Sequence, residues 1–221
     1  MRAAIVKGVD IISMSWTIEA TGSNGSDIAA LEAAIDDAAK AGILMFCSAN
    51  DQGIARDRSF PSASSTKHIF KIGAAEASGN IWKWAGDPAD IDFIFPGHNV
   101  VKERPNDAPL DKCKTLTGSS VATAIASGLA ALVLYCIQLG ALNTQYLKLS
   151  GAATTMKDFE AVKKHERMKE AFMAIGVQKK YVEVWDFFGE AAKKAESATR
   201  EGKMSIMADL SQRLKTTKKY N

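Results

Sequence analysis

The alternation of apolar and polar positions predicts short buried strands separated by helices. Three apolar runs, at residues 9–17, 43–47 and 68–74, are short and rich in β-branched or bulky side chains, as is typical of strands buried in a parallel sheet. Between the first two runs, apolar residues at helical spacing predict a helix over about 28–41, capped by Ser26 or Asp27. A strand, a helix and a second strand of this length form a right-handed parallel unit.

The longest uncharged stretch, residues 117–139, predicts the central helix of the fold. It begins with small and hydroxyl residues and continues as an aliphatic run. We expect Gly118 and Ser119 to form the turn and the N-cap, which places Ser120 in the first turn. Because apolar residues fall on all sides, the helix should be buried all round. A first-turn hydroxyl lies near unpaired backbone N–H groups and the positive end of the helix dipole, which favours an oxyanion.

Three interpretations of this stretch stay open from its pattern alone. A core helix with a serine-rich start is the common one. Twenty-three uncharged residues could also span a membrane, although the first half consists of Ser, Thr, Ala and Gly rather than Leu and Ile. The third interpretation is a helix that presents Ser120 as a nucleophile.

Composition restricts the class of protein. At 221 residues, with 47% apolar and 24% charged residues, the chain can bury one sizeable core and is typical of a soluble protein without a membrane span. A net charge of +3 is too small to indicate a nucleic-acid partner. The three cysteines, with no metal-ligand spacing, predict reduced thiols and no metal or cofactor. Lys7 and Asp10 interrupt the first apolar segment, so no signal peptide is predicted and a cytoplasmic location follows.

Five sequence blocks, in the correct order, resemble the subtilisin-like serine proteases, or subtilases. The blocks are GVDIISMSW at 8–16, ILMFCSANDQG at 43–53, FPSAS with HIFKIGA at 60–74, DFIFPG at 92–97 and GSSVATAIASGLAAL at 118–132. The last is similar to the family signature G-T-S-M-A-x-P-x-V-x-G-x-A-A-L, with Ser119 and Ala124 in place of Thr and Pro. The resemblance covers about residues 3–138 and implies an α/β fold, a parallel β-sheet flanked by helices on both faces.

The resemblance also implies the site and its chemistry. It assigns Ser120 as the nucleophile and Asn50 as the oxyanion donor of a serine endopeptidase that hydrolyses a polypeptide substrate. The substrate-binding residues it implies are Ser15, Trp16, Thr17, Ser48 and Ala49. Taken alone, the segment from Ser15 to Thr17 would also fit the end of an ordinary buried strand with a terminal Trp. Asn50 alone would also fit a residue that shapes a loop.

The catalytic Asp and His of the family precede its oxyanion Asn. The histidines of this sequence, His68, His98 and His165, all follow Asn50, and none lies in the family's H-G-T-x-V-A block. We therefore expect the chain to be the C-terminal part of a subtilase domain, with Asp and His on a missing N-terminal segment. By itself such a chain should be inactive. The alternative is a catalytically inactive subtilase-like module for protein interaction.

The last third of the sequence matches the family only loosely. Residues 138–155 are predicted to be a mixed connector, Lys157–Ile175 an amphipathic helix, and residues 189–197 a further helical stretch. From Arg200 the chain is partly helical and then basic, and the KTTKK segment at 215–219 is predicted to be a solvated end. The predicted organisation is a partial catalytic domain at 1–190 and a helical, basic tail at 191–221.

Overall fold

The structure, a computed structural model, describes residues 1–54, 59–65, 67–148 and 153–215. The chain divides into two compact units. The first, here called the sheet unit, comprises Met1–Gly128 and Lys179–Tyr181. The second, called the helical unit, comprises the remainder of the chain.

Strands and helices alternate along the sheet unit, whereas helices dominate the helical unit. The strands are β1 (Ile11–Met14), β2 (Ile18–Glu19), β3 (Leu44–Ser48), β4 (Ser59–Phe60), β5 (Ile69–Ala75), β6 (Phe93–Pro96), β7 (Val100–Val101), β8 (Thr115–Leu116), β9 (Val177–Gln178) and β10 (Tyr181–Val182). The helices are α1 (Arg2–Lys7), α2 (Gly25–Lys40), α3 (Ser119–Tyr146), α4 (Met156–Val162), α5 (His165–Ile175), α6 (Val184–Ser197) and α7 (Arg200–Lys215). Two 3₁₀ turns cover Pro105–Asp107 and Leu110–Lys112.

The main sheet runs β1-β3-β5-β6 with all three neighbouring pairs parallel, and Tyr181 of β10 pairs in parallel with Ile94 of β6. Every residue of β3 is buried, because a parallel strand covered on both faces needs apolar side chains on both. β1 is the edge strand, and no described strand pairs with its outer side. The predicted α/β fold with a mostly parallel sheet flanked by helices is confirmed.

The two faces of the sheet have different cores. Because successive side chains of a strand point to opposite faces, Met45 and Cys47 lie on one face and Phe46 on the other. On the first face, Met45 and Cys47 pack in one cluster with Ile35 of α2. On the second, Phe46 stacks on Phe70 of β5 with ring centroids 4.9 Å apart.

Helix α2 begins earlier than predicted. It starts at Gly25 rather than near residue 28, with Asn24 in the N-cap position, so Ser26 and Asp27 lie inside the helix and the prediction that one of them caps it is wrong. The Asn24 side chain holds the preceding loop instead: it accepts from the N–H of Thr21 at 2.8 Å and donates to the carbonyl of Glu19 at 2.9 Å. Apolar periodicity marks the buried turns of a helix and therefore misses a polar first turn.

Helix α3 departs from its prediction in two ways. It continues to Tyr146, beyond the expected end at Leu139, and it is not buried all round. One face is open to solvent, where Leu132 is 40% and Tyr135 56% exposed. Apolar residues on every side of a helix show that burial is favourable, but they do not show which side is covered.

By length and composition alone, α3 is also long and apolar enough to cross a membrane. Of the window of α3 that meets this test, 56% is buried inside the protein. Helices in the cores of soluble proteins have the same length and apolar composition.

The helical unit begins with the second part of α3. The predicted connector at 138–155 is helical up to Tyr146, and its residues 149–152 lie outside the described part of the chain. The single helix predicted over Lys157–Ile175 is two helices, α4 and α5, which are separated at residues 163–164. A capping box formed by Thr155 and Asp158 begins α4.

The C-terminal helices carry buried side chains. Helix α6 starts at Val184, earlier than the predicted stretch at 189–197, and the domain limit predicted at residue 190 falls inside it. Helix α7 occupies the part of the chain from Arg200 that was predicted to be partly helical, and its Leu210 and Leu214 are buried. Apart from Lys215, the KTTKK segment lies outside the described residues.

Candidate active site

The N-terminus of α3 is held by the segments that follow three parallel strands. After β1, the Ser15 hydroxyl donates to the carbonyl of Ser120 at 3.0 Å. After β6, the carbonyl of Gly97 accepts from the N–H of Gly118 at 2.7 Å. After β3, the Asp51 carboxylate accepts from the N–H of Ser119 at 2.9 Å. The carboxyl ends of parallel strands are the usual place for a ligand site in an α/β sheet.

Ser120 lies in the first turn of α3, as the sequence predicts, and is half-buried. Its hydroxyl makes no hydrogen bond with any residue that the structure describes. Gly118 has a φ of +144°, and a Cβ there would lie 3.1 Å from both the Ser120 hydroxyl and the Asp51 carboxylate. The glycine therefore keeps the space beside the Ser120 hydroxyl open.

Asn50 follows β3 directly and is only 8% exposed. Its amide group has no hydrogen-bond partner within the described ranges. Because its neighbour Asp51 is bonded to Ser119, the neighbour of Ser120, the loop after β3 brings Asn50 to the start of α3. The Asn50 side chain is therefore available to a ligand at the carboxyl end of β3, where the chain passes on to the loop that is bonded to α3.

Ser119 and Asp51 position the site, and the sequence did not reveal their roles. Ser119 is fully buried, and its hydroxyl accepts from the N–H of Ala74 at 3.0 Å, which fixes the start of α3 to β5. It does not cap the helix with its side chain. Asp51 places a carboxylate on the first turn, where the helix dipole favours a negative charge. No local pattern indicates that Asp51 pairs with Ser119, because the two residues lie 68 positions apart in the sequence.

The predicted substrate-binding residues fall into two groups. Trp16 and Thr17 are exposed beyond β1, whereas Ser48 and Ala49 are buried at the end of β3. Ser15 joins the first group by position, but its hydroxyl bonds to the backbone of Ser120. Their role in binding substrate stays a prediction.

A cavity of about 380 Å³ opens beside Asn50. Ala49 and Asn50 form part of its wall, and the side chains of Lys71, Asp87 and Asp90 bring charges of both signs to it. Among the described residues, no group of three His, Cys, Asp or Glu side chains could hold a metal ion.

None of the three histidines is bonded to the Ser120 hydroxyl. His98 stacks on Trp82 with ring centroids 5.5 Å apart, and His165, in α5, lies 3.2 Å from the carboxylate of Glu166. His68 precedes β5 and is exposed. A general base must reach the proton that it accepts, and within the described residues no histidine is hydrogen-bonded to the Ser120 hydroxyl.

Another candidate nucleophile is excluded by its chemistry. Burial raises the pKa of the Cys136 thiol to about 11. The thiolate is the reactive form of cysteine, so Cys136, inside α3, stays protonated and unreactive at neutral pH.

The model described as the Subtilase family matches residues 1–148, which is about two thirds of the sequence and includes every site residue described above. The chain belongs to the subtilase family. The resemblance drawn from the five sequence blocks is thereby confirmed. The family match ends just beyond α3, so most of the helical unit of this subtilase lies outside it.

Two curated relatives are bacterial proteases. The subtilase is 31% identical over 134 residues to the major intracellular serine protease of Bacillus subtilis (strain 168), and 27% identical over 134 residues to an intracellular serine protease of Paenibacillus polymyxa. Each match covers 59% of this chain. The chain covers only 38% and 37%, respectively, of the lengths of these relatives.

Solved structures share the fold of this subtilase. A lanthipeptide protease matches with a TM-score of 0.57 and 19% identity, over 86% of this chain and 63% of the other. The prenylagaramide maturation protease PagA matches with a TM-score of 0.54 and 18% identity, over 97% of this chain and 66% of the other. At such identities the matches show the fold alone.

Proposed function

We propose that this chain supplies the nucleophile and the oxyanion-binding half of a serine endopeptidase site that hydrolyses peptide bonds in polypeptides. The observation that carries the proposal is the Ser119–Asp51 hydrogen bond of 2.9 Å, because it ties the loop that carries Asn50 to the first turn of α3, which carries the half-buried Ser120. Membership of the subtilase family supports the same reaction. In this role Ser120 is the nucleophile and Asn50 is an oxyanion donor.

The chemistry follows from where the polar atoms lie. The Ser120 hydroxyl oxygen attacks the scissile carbonyl while a histidine base takes its proton, and the carbonyl oxygen becomes an oxyanion. When the carbonyl re-forms, the C–N bond breaks and the protonated base gives its proton to the leaving amine. Water then releases the acyl group from Ser120 by the same steps. The Asn50 amide and the backbone N–H of Ser120 donate to that oxygen, since first-turn N–H groups have no partner inside the helix. Ser15, Trp16, Thr17, Ser48 and Ala49 would flank the substrate chain in this arrangement.

The base and its orienting carboxylate come, in this proposal, from a further segment that carries His and Asp. Two observations support such a segment. The Ser120 hydroxyl has no partner in the part of the chain that the structure describes. In addition, β1 has no described strand on its outer side, and Leu132 and Tyr135 of α3 are exposed, so a strand edge and an apolar helix face are available. The 221-residue chain alone should then be inactive.

The same proposal covers location and partners. Both curated relatives are named as intracellular proteases, which supports a cytoplasmic location for this chain. We propose a polypeptide substrate, with neither a nucleic acid nor a membrane as partner. The small net charge of +3 supports the absence of a nucleic-acid partner.

A labelling experiment tests the nucleophile. The purified 221-residue chain should neither react with a fluorophosphonate probe nor hydrolyse a peptide. Co-expression with a subtilase N-terminal segment that bears Asp and His should produce both activities. Ser120→Ala in that complex should remove labelling and lower turnover by about 10⁶-fold, the loss seen when a subtilisin nucleophile is removed. The exposed Ser197→Ala serves as the matched control and should change neither.

Two results would contradict the proposal. Strong labelling of Ser120 in the isolated chain would show that a base lies within it. A complex that assembles but never hydrolyses peptides would favour the second candidate function, a catalytically inactive subtilase-like interaction module. The lack of a bonded base at Ser120 is the observation that favours this second candidate.

A further inference from the structure

A groove in the helical unit lies between the last turns of α3 and the first turns of α7. It has a larger compartment of about 560 Å³ and a smaller one of about 420 Å³. The two compartments share Asn143, Tyr146, Arg200 and Met204 and therefore form one groove. None of these residues belongs to the candidate active site, so the groove is a separate feature of the protein.

The walls of the groove repeat at helical spacing. Leu139, Leu142 and Tyr146 line it from α3, and Met204 and Met207 line it from α7. Leu142 is 48% and Tyr146 79% exposed, which is unusual for apolar side chains that lie side by side. The larger compartment has the size of a small-molecule site, about 300–1,000 Å³. Methionine side chains are flexible and adapt to apolar ligands of varied shape.

The charged groups of the larger compartment are hydrogen-bond donors, and Asn143 adds an amide with both a donor and an acceptor. Arg200 and Lys203 line it, and neither forms an ion pair with a residue that the structure describes. Asn143 has a buried side-chain oxygen without a partner, and its amide nitrogen is likewise unbonded within the described ranges. The carboxylate of Glu201 lines only the smaller compartment. The larger compartment thus combines an apolar wall with two cations and an amide donor, and it has no carboxylate among its lining residues.

We propose that this groove binds an amphiphilic carboxylate, namely a free fatty acid of medium or long chain. The hydrocarbon tail packs against Leu142, Met204 and Met207, and the carboxylate accepts from Arg200 and Lys203. Charge-assisted hydrogen bonds between guanidinium or ammonium groups and a carboxylate are stronger than neutral ones, so the head group sets the orientation. Asn143, whose side chain has no partner among the described residues, turns its amide to donate to the same carboxylate.

The test follows dodecanoate binding to the full 221-residue chain, below the concentration at which the lipid forms micelles. With methyl-labelled methionine, the NMR signals of Met204 and Met207 should shift on titration, whereas those of Met14 and Met45 in the sheet should not. Arg200→Glu combined with Lys203→Glu should weaken binding by about tenfold or more, because two charge-assisted contacts are reversed. The control Lys193→Glu, an exposed lysine of α6, should leave binding unchanged.

A second pair of measurements distinguishes the contribution of the hydrocarbon tail to binding from that of the carboxylate head group. Leu142→Glu should weaken dodecanoate binding by about tenfold or more, since it places a charge on the apolar wall. Dodecyltrimethylammonium, with the same tail and a cationic head, should bind about tenfold more weakly than dodecanoate or not at all. Far-UV circular dichroism of each variant checks that the helices persist.

Several outcomes would overturn the proposal. Equal binding of the two amphiphiles, or unchanged dodecanoate binding by the folded double variant or by folded Leu142→Glu, would show that the groove does not select a carboxylate in this position. Shifts of all methionine signals together would show non-specific binding. Binding to vesicles of anionic phospholipid without binding of free dodecanoate would show a membrane-contacting surface instead.

Discussion

The sheet unit and the helical unit use buried polar groups very differently. Among the described residues, eight buried polar side chains lie in the sheet unit and two in the helical unit. Those of the sheet unit are Ser48, Asn50, Ser59, Ser62, Ser64, Ser119, Thr123 and Ser127. Those of the helical unit are Thr154 and Ser211, and their hydroxyls are bonded to each other at 2.8 Å.

The buried polar groups of the sheet unit position a candidate site, whereas the buried side chains of the helical unit mainly pack helices together. Burying a polar group is unfavourable unless it forms hydrogen bonds or is used. In the sheet unit, the bonds made by Ser119 hold the start of α3 against β5 and the Asn50 loop, so they position a site. In the helical unit, the single pair of hydroxyls ties α7 to the segment before α4, and the remaining buried side chains are apolar. Mutations in the two units should therefore have different consequences.

Asn50→Ala should have the largest effect of any change in the sheet unit other than loss of the Ser120 nucleophile. In the proposed complex with a segment that bears Asp and His, Asn50→Ala should lower turnover by about 10²–10³-fold, the usual effect of removing one oxyanion donor. The free energy of unfolding should change little, because the Asn50 amide has no partner within the described residues. Steady-state kinetics and chemical denaturation measure the two effects, with the exposed Gln52→Ala as control. A large loss of stability with normal turnover would place Asn50 among the packing residues.

The corresponding change in the helical unit is Gly140→Ala. A Cβ at Gly140 would lie 2.5 Å from the Cβ of Ser211, since α3 and α7 approach closely there. Overpacking of this kind should lower the free energy of unfolding by about 1–3 kcal/mol. Gly128→Ala is the matched control, because it lies in the same helix with nothing within 4 Å of the added Cβ. It should be neutral or stabilising by up to about 1 kcal/mol. Equal destabilisation by both variants, measured by denaturation, would contradict the close approach.

Asp51→Ala should have a smaller effect that combines stability and turnover. It removes the carboxylate that accepts from the N–H of Ser119. Loss of an acceptor at a helix N-terminus should lower the free energy of unfolding by about 1 kcal/mol. Turnover should fall as well, because the same bond joins the Asn50 loop to α3. Asp51→Asn keeps a hydrogen-bond acceptor and should retain most of the stability and most of the turnover. If Asp51→Asn and Asp51→Ala lower stability and turnover equally, the carboxylate does not act as this acceptor.

Sequence alone predicted the parts of the molecule that depend on local patterns. Buried strands such as β3 are continuous apolar runs, and Ser120 lies in an ordered set of blocks, so both could be placed. The exposed face of α3 could not be predicted, because an apolar side chain does not show whether a neighbour covers it. The bond between Asp51 and Ser119 joins residues 68 apart in the sequence, and no spacing rule indicates it. The break between α4 and α5 falls at two lysines, which are good helix formers.

The smallest expected effect concerns the capping box of α4 and depends on pH. The hydroxyl of Thr155 donates to the Asp158 carboxylate at 2.9 Å, and the Thr155 N–H donates to it at 2.7 Å. Partial burial alone would raise the pKa of Asp158, but the hydrogen bonds from Thr155 and the charge of Lys215, 3.5 Å away, outweigh it and lower the pKa. A carboxyl whose pKa is lowered by folding stabilises the fold above its unfolded pKa of about 3.9. This stabilisation is lost as the pH falls through the folded pKa.

Thr155→Ala should therefore lower the free energy of unfolding by about 1 kcal/mol near neutral pH. Its cost should shrink when denaturation is repeated from about pH 7 down to about pH 2, because the stabilisation by the ionised Asp158 decreases below the unfolded pKa of about 3.9 as the carboxyl becomes protonated. Asp158→Asn removes the titrating group, so Thr155→Ala in that background should cost the same at every pH. If Thr155→Ala in the unmodified chain also costs the same at both ends of the range, the carboxylate of Asp158 does not stabilise α4 through Thr155.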